Sequence, residues 1–238
     1  MDNIFKHKST LHHSFSGTLS KGDEYASPDV IESFEGQQII ITEKMDGGAS
    51  SFTKKEDGSL HINLRSLEQV DPADKKASWL CNYVDLLKEK LPLNFRFSGE
   101  ILKWKHSIYY DELPSFFMLY RIWNDKNVSL GWDELTEWTE LLDIPSFGID
   151  KMYSVPLLYR GIYDNSLIKE IFDETVASGK EGIIVQLEGQ FPYPEDIWYY
   201  TDILKLVRKG HVQTDEHWSR HLEPNQLEEN SPFRNIPG

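Results

Sequence analysis

The stretch that decides the fold is Ile39-Ile40-Ile41-Thr42-Glu43-Lys44-Met45-Asp46-Gly47-Gly48. An apolar run of strand length delivers a lysine, and the glycine pair after the aspartate lets the backbone turn sharply beside a ligand. An unperturbed lysine has a pKa of about 10.4, so very little of its amine is neutral at neutral pH. A nucleophilic lysine must therefore be desolvated or lie beside another cation. A strand end at the floor of a cleft meets that need, and Lys44 is the candidate.

The pattern Lys-x-Asp-Gly occurs twice, because Lys55-Glu56-Asp57-Gly58 also fits it. The second copy lies between two predicted strands, at about residues 49–54 and 59–66. Asp57-Gly58 is therefore predicted to be the turn of a polar hairpin. We interpret Lys55 as part of that turn and Lys44 as the nucleophile.

Composition limits the class of protein. The 238 residues, 39% of them hydrophobic, suffice for one sizeable core. A balance of 25 basic against 39 acidic residues, net −14, argues against a broad electropositive face for duplex binding. Lys205, Arg208 and Lys209 are the nearest candidates for a local basic cleft. With no bilayer-length apolar segment, no signal-peptide core and one cysteine, Cys81, we expect a cytoplasmic protein without a membrane partner.

Further motifs follow the Lys44 stretch in a fixed order. Strand-like runs contain Phe95-Arg96-Phe97-Ser98-Gly99-Glu100 and Phe116-Phe117-Met118-Leu119-Tyr120. Glu181-Gly182-Ile183-Ile184-Val185 opens a later strand with a carboxylate, and Ile203-Leu204-Lys205-Leu206-Val207 comes last. Together with Arg65 these runs resemble the ordered motifs of the covalent nucleotidyltransferases, and of the RNA ligases in particular. The six matches span residues 43 to 209.

The resemblance implies roles for individual residues. Lys44 would carry a covalent AMP, Arg65 would contact the nucleotide, and Glu100 would contact the ribose. Tyr120 would stack on the purine, with Phe117 as the alternative because strand register is not visible in sequence.

The resemblance also implies the charged groups of the reaction. Asp46 and Glu181 are the predicted metal ligands, and Glu43 is predicted to line the purine pocket. Lys205 would lie near the α-phosphate, where its charge would lower the pKa of Lys44 and stabilise the transition state.

The last motif departs from the family pattern of Lys-x-Lys, because Val207 holds the second lysine position. Strand alternation predicts Lys209 on the face of Lys205, one step further along, whereas Arg208 would need a bulge to join them.

The fold predicted from the resemblance is α+β, with two twisted, mainly antiparallel sheets, the nucleotide between them and helices outside. Residues 1–209 would form the nucleotidyltransferase domain and residues 210–238 a short helical tail. Helices are predicted within 72–91, over 131–142 and over 166–178. His211, His217 and His221 in the tail fit no standard zinc spacing. We expect no carboxy-terminal OB-fold, which indicates a minimal ligase or one that depends on a helper protein.

The function that the resemblance implies is an ATP-dependent RNA ligase that uses Mg²⁺ or Mn²⁺ and joins 5′-phosphate to 3′-hydroxyl RNA ends in repair. A minimal DNA ligase is the alternative within enzymes, and GTP is not excluded by composition. A nucleotide-binding module without joining activity is the alternative from another class, suggested by the net charge and by Val207. The lead-in Lys8-Ser9-Thr10-Leu11-His12-His13 resembles that of several bacterial and phage RNA ligases, or is a surface loop with exposed histidines.

Overall fold

The protein divides into two compact units. The structure is a computed structural model that describes residues 2–17, 19–210 and 222–238. Unit A contains Lys8–Met45 and the described residues from Val155 to Gly210. Unit B contains Asp46–Ser154 and the described residues before Lys8 and after residue 221. Each unit is described by itself below.

The α+β class is confirmed, since the chain forms two sheets and few helices. The strands are β1 (Ser9–His12), β2 (Gln38–Lys44), β3 (Gly48–Lys54), β4 (Leu60–Asn63), β5 (Arg96–Ile101), β6 (Phe117–Trp123), β7 (Val128–Ser129), β8 (Leu157–Ile162), β9 (Gly182–Leu187), β10 (Phe191–Pro192) and β11 (Tyr199–Val207). The α-helices are α1 (Pro28–Glu32), α2 (Ser78–Leu87), α3 (Trp132–Leu141) and α4 (Asn165–Ala177), and two 3₁₀ turns span Pro145–Phe147 and Pro232–Asn235.

The sheet of unit A has the strand order β1-β11-β9-β2-β8. Its neighbours are antiparallel except for β1 and β11, which are parallel. Strand β2 pairs on both sides, and its residues Ile39, Ile40 and Ile41 are fully buried, with Ile39 and Ile41 on the face that forms the core of the unit. Helix α4 is capped by Asp164, the residue before its first turn, whose side chain accepts hydrogen bonds from two backbone amides of that turn. It packs Ile168 and Phe172 against the core face of this sheet.

Unit B contains the hydrogen-bonded strand order β7-β6-β5-β3-β4. Its core includes Phe52 and Phe97, whose rings stack at 5.2 Å, and Phe117, whose ring lies 5.5 Å from that of Phe52. The predicted hairpin is confirmed, since β3 pairs with β4 and the Lys55 backbone N–H donates to Ser59 across the turn.

Three predicted helices exist, and the first, α2, fills only the middle of the range 72–91 within which it was predicted. Helix α2 begins at Ser78 because the preceding turns are fixed by aspartates. Asp71 accepts from the amide of Ala73, and Asp74 accepts from that of Lys76. Such side-chain bonds to nearby backbone amides compete with a continuing helix. Within the described residues, no helix has the length and apolarity needed to cross a membrane.

Residues 211–221 of the tail predicted as helical lie outside the described residues. This applies to His211, His217 and His221. Its described end, residues 222–238, contains the 3₁₀ turn Pro232–Asn235.

Gly182 gives a test of the β9–β11 pairing. A Cβ atom at this position would lie 1.9 Å from the backbone oxygen of Leu206 on the neighbouring strand. We predict that Gly182→Ala destabilises the protein by about 1–3 kcal/mol or more, because the two backbones would have to separate. Urea denaturation monitored by circular dichroism measures the change.

The matched control is Gly189→Ala. Gly189 is exposed, and a Cβ there would meet no atom within 4 Å. Its free energy of unfolding should change by less than about 0.5 kcal/mol. Equal losses in the two variants would contradict this account of the pairing.

Candidate active site

Lys44 lies at the last position of β2 and contacts a buried carboxylate. Its Nζ is 2.7 Å from Oε2 of Glu181, the residue immediately before β9. Glu181 is 6% exposed, so its charge requires a partner, and Lys44 supplies one. The antiparallel register, in which Lys44 is opposite Gly182, brings the two side chains together. The structure thus joins the predicted nucleophile to a predicted metal ligand.

The strand register also places Lys205 on the face of Lys44. Lys44 lies opposite Gly182 of β9, and Lys205 lies opposite Ile184 of the same strand. Opposite residues, and residues two apart on one strand, share a face of a sheet. With β9 alone between β2 and β11, the lysine-bearing backbones are about 10 Å apart across the sheet.

A second ion pair crosses β2 and β9 beside the first. Lys180 Nζ lies 3.3 Å from Oε1 of Glu43, whose side chain is only 8% exposed. Glu43 is opposite the core residue Ile183, so Lys180 offsets the cost of a carboxylate at the edge of the core. Sequence reasoning missed Lys180, although it directly precedes the predicted metal ligand. The predicted purine-pocket role of Glu43 stays a prediction.

Lys205 has a carboxylate partner that the sequence did not indicate. Its Nζ lies 2.8 Å from Oδ1 of Asp23, and the side chains are 17% and 18% exposed. Asp23 follows a Ser/Gly-rich connector whose composition predicts only a loop. Burial raises the pKa of Asp23, but the hydrogen bond and charge of Lys205, with smaller contributions from Ser20 and His12, lower it to about 2.

One of the two interpretations of the lead-in, Lys8 to His13, is wrong. His12 and His13 are 0% and 1% exposed, so this is not a loop with exposed histidines. The lead-in forms β1, which pairs with β11 and sets His12 opposite Lys205.

The predicted position of Lys209 on the strand face of Lys205 is wrong, while its predicted role in nucleotide binding stays a prediction. Strand β11 ends at Val207, so alternation does not extend to Lys209, which is exposed in the following turn. The backbone amide of Arg208 donates to the carbonyl of Glu181, which extends the ladder by one bond. Val207 itself is buried.

Arg65 is not at a strand end. The predicted strand over 59–66 ends at Asn63, whose side-chain amide donates to the carbonyls of Leu64 and Ser66. These bonds bend the chain after the strand, and Arg65 is exposed in that bend. Its proposed contact with the nucleotide stays a prediction.

In unit B, Asp46 and Glu100 both hold the turn that follows Lys44 in the chain. Asp46 Oδ2 accepts hydrogen bonds from the amide and hydroxyl of Ser107 and from the amide of Ile108, at 2.6–2.7 Å. Glu100 Oε1 accepts from the amide of Gly47 at 3.2 Å. The observed contacts of Asp46 fit a role in fixing this turn, and its predicted role as a metal ligand stays a prediction.

Tyr120 occupies a β-bulge in β6. The pairing with β5 steps from Ser98 opposite Arg121 to Gly99 opposite Leu119, so Tyr120 is the extra residue. Its ring is half-buried and meets the edge of the His7 ring at 6.2 Å. The alternative, Phe117, is excluded as the stacking ring because it is 0% exposed in the core.

The model of the RNA ligase family matches residues 37–207. This chain belongs to the RNA ligase family. The matched range begins just before β2 and ends with β11, so it contains the Lys44–Glu181 and Lys205 positions described above.

Solved RNA ligases share the fold of this family member. An archaeal ATP-dependent RNA ligase matches with a TM-score of 0.53 at 16% identity, over 83% of this chain and 48% of that one. Naegleria gruberi RNA ligase with PPi matches with a TM-score of 0.53 at 19% identity, over 87% and 60%. A point mutant of the same enzyme with AMP and Mn gives a TM-score of 0.56 at 18% identity, over 87% and 60%. The chain thus spans about half to three-fifths of the ligases it resembles, and a search of curated proteins finds no sequence match.

The donor set of this RNA ligase family member fits a metal held jointly with substrate. Among the described residues, no three His, Cys, Asp or Glu side chains group so as to hold a metal ion. Mg²⁺ is usually bound by one or two carboxylates together with phosphate oxygens and water. Glu181, buried beside Lys44, is a carboxylate of that kind.

The Asp23–Lys205 pair predicts a pH-dependent stability. Because the folded pKa of Asp23 lies below its ordinary value, its contribution is present above about pH 4 and is lost as pH falls toward 2. After discounting for partial exposure, we expect Asp23→Asn to cost about 1 kcal/mol at pH 6, and the deficit to shrink between pH 4 and 2.5. Urea denaturation at these pH values measures it.

Asp173→Asn is the control, since Asp173 pairs with Lys169 on an exposed helix face and should matter much less. A deficit of Asp23→Asn that is the same at every pH would show that the lost interaction is not that of a carboxylate.

Proposed function

We propose that this protein is an ATP-dependent RNA ligase that carries AMP on Lys44 and joins 5′-phosphate to 3′-hydroxyl RNA ends. The observation that carries the proposal is the contact of 2.7 Å between Lys44 and Glu181, within the range matched by the RNA ligase family. The similar structures support the nucleotide, since point mutants of Naegleria gruberi RNA ligase were solved with ATP and Mn and with AMP and Mn. RNA as substrate is inferred from the family.

The first chemical step is an in-line substitution at phosphorus. Nζ of Lys44 forms a bond to the α-phosphorus of ATP while the bond to the α–β bridging oxygen breaks, and pyrophosphate leaves. The amine must lose protons to give the phosphoramidate, and Glu181 Oε2 is the acceptor placed at hydrogen-bond distance. An ion pair with Glu181 requires a charged Lys44, so the described geometry is that of the protein before the amine attacks the α-phosphorus.

The charged groups around Lys44 would then act on the substrate. Glu181 would hold a divalent cation, which when bound would neutralise charge on the phosphates. Lys205, on the same face of the sheet, would bring a fixed positive charge toward the α-phosphate. Tyr120 on its bulge would supply the ring for the purine.

The later steps transfer AMP from Lys44 to a 5′-phosphate, and a 3′-hydroxyl then displaces it. Each transfer breaks one bond to the adenylyl or terminal phosphorus and forms another, so energy from ATP is conserved until sealing. A helper protein and a role in RNA repair belong to this proposal as expectations.

A labelling experiment tests the covalent step. The protein is incubated with α-labelled ATP and Mg²⁺ or Mn²⁺ and separated on a denaturing gel. We predict a labelled band in wild type that is lost in Lys44→Ala and in the presence of EDTA, because both the amine and the cation are required. Lys55→Ala is the matched control, since Lys55 lies in the hairpin turn, and it should retain the band.

The outcomes separate the candidate functions. A labelled band in Lys44→Ala, or none in wild type with either cation and with ATP or GTP, would contradict the proposal. Given the band, joining of nicked RNA and nicked DNA duplexes is compared. Preference for nicks with RNA ends supports the RNA ligase, preference for all-DNA nicks indicates a DNA ligase, and an adduct without any joining overturns the ligase assignment.

A further inference from the structure

A chain of polar side chains leads from the buried Ser16 and His12 to the partly exposed Asp23 and Lys205. Lys205 Nζ contacts Asp23 Oδ1 at 2.8 Å, and Asp23 Oδ2 is 3.2 Å from Nε2 of His12. His12 Nδ1 is 2.7 Å from the hydroxyl of Ser16. The amide of Val207 donates to that hydroxyl at 3.0 Å. The chain therefore leaves β11 at Lys205 and returns to it at Val207; we call Ser16, His12 and Asp23 the relay.

Hydrogen-bond chemistry fixes the direction of each contact. The carboxylate of Asp23, whose pKa is lowered to about 2, accepts a hydrogen bond from Lys205, and its other oxygen lies 3.2 Å from Nε2 of His12. A neutral His12 in this network carries its proton on Nε2, and Nδ1 accepts the hydroxyl proton of Ser16. Ser16 in turn accepts from the amide of Val207. Hydrogen bonds thus connect Lys205 with Asp23, His12 with Ser16, and Ser16 with Val207, and Nε2 of His12 faces the Asp23 carboxylate at 3.2 Å.

The backbone around the relay is held at several points. The amide of His12 donates to Glu24 at 2.8 Å, and the amide of Ala26 donates back to the carbonyl of His12 at 2.8 Å. The amide of His13 donates to the carbonyl of Lys205 at 3.0 Å. Asp23 Oδ2 also accepts from the amide of Ser20 at 3.1 Å. The connector that carries Asp23 is therefore bonded to His12 of β1, and the residue after β1 is bonded to Lys205 of β11.

The long stem of Lys205 is the flexible part of this arrangement. A free lysine side chain samples many rotamers, and this freedom must be lost when its ammonium is held in one place. Because the Asp23 carboxylate is held in place by the backbone and by His12, its ion pair with Lys205 restricts the lysine side chain before any substrate binds. A group aligned in advance lowers the barrier of a transfer, and displacement by about 1 Å can cost about a hundredfold in rate.

We propose that His12 and Asp23 are positioning residues that hold the Lys205 ammonium for transfer of AMP to Lys44. The inference rests on the proposed function. Lys205 keeps its proton throughout the step: the bond from Lys44 Nζ to the α-phosphorus forms, the bond to pyrophosphate breaks, and Lys205 supplies only charge. His12 and Asp23 touch neither reacting atom and act through Lys205.

A double-mutant cycle tests this action. The single-turnover rate of AMP transfer to Lys44 is measured at saturating ATP for wild type, Asp23→Asn, Lys205→Met and the double variant. We expect Asp23→Asn to lower the rate about tenfold with less than about a threefold change in KM for ATP, and to have less than about a twofold effect once Lys205 is Met. Asp173→Asn, on an exposed helix pair, should leave the rate unchanged.

Two substitutions of His12 separate positioning from packing. Gln places its amide nitrogen near the position of Nε2 and retains a donor for Asp23, whereas Ala removes the donor and leaves a cavity. We expect His12→Ala to be slow and His12→Gln to recover most of the rate. Thermal unfolding of both variants shows whether each is folded at the assay temperature.

The chemical reactivity of Lys205, measured without ATP, tests the positioning role independently of the proposed function. An amine-reactive ester is applied briefly, and modification of Lys205 is followed by peptide mass spectrometry. Lys205 should react slowly in wild type and His12→Gln, and several-fold faster in Asp23→Asn and His12→Ala.

The results have the following meanings. Any of three results would overturn the inference. Asp23→Asn could slow the reaction equally in the wild-type and Lys205→Met proteins, or His12→Gln could be as slow as His12→Ala. The third is that Asp23→Asn leaves the labelling of Lys205 unchanged. No adduct in wild type would overturn the proposed function and, with it, the step assigned to the relay, while the labelling pattern would still report whether Asp23 and His12 hold Lys205.

Discussion

The antiparallel pairing of β2 with β9 is the constraint on which the candidate site depends. It buries Ile39–Ile41 between two neighbours and ends with Lys44 opposite Gly182. The chain enters β9 through Glu181, so the pairing sets this carboxylate against the lysine amine. A glycine is required at the same point because the carbonyl of Leu206 on the next strand leaves no room for a Cβ atom. One register thus determines the nucleophile, its partner and the close approach of β11.

Charge in unit A is organised in pairs rather than as a basic surface. Lys44 is with Glu181, Lys180 with Glu43 and Lys205 with Asp23. A net charge of −14 therefore coexists with three lysines that lie in or just before the neighbouring strands β2, β9 and β11. An incoming triphosphate must compete with Glu181 for the ammonium group of Lys44, and a divalent cation held by Glu181 would relieve that competition.

The sequence predicted the elements whose signal is local. The apolar run of β2, the Asp57-Gly58 turn and the α4 stripe of Ile168 and Phe172 each carry a pattern within one element. Lys209 was misplaced because the end of β11 is set by tertiary pairing, which alternation does not report. Asp23 could not be found, since it meets Lys205 across 182 positions from a connector with loop composition. Tyr120 lies on a bulge that has no sequence signal and Phe117 is buried in the core, while the predicted stacking of Tyr120 on the purine stays a prediction.

The central claim is that Lys44, held beside Glu181 by the β2–β9 register, is the amine that takes AMP. The most direct measurement is peptide mapping of protein incubated with ATP and a divalent cation, digested near neutral pH to preserve the phosphoramidate and read by tandem mass spectrometry. The account predicts the mass of AMP on the Lys44 side chain and on neither Lys55 nor Lys205. Adenylate on Lys55 or Lys205, with Lys44 unmodified, would contradict it.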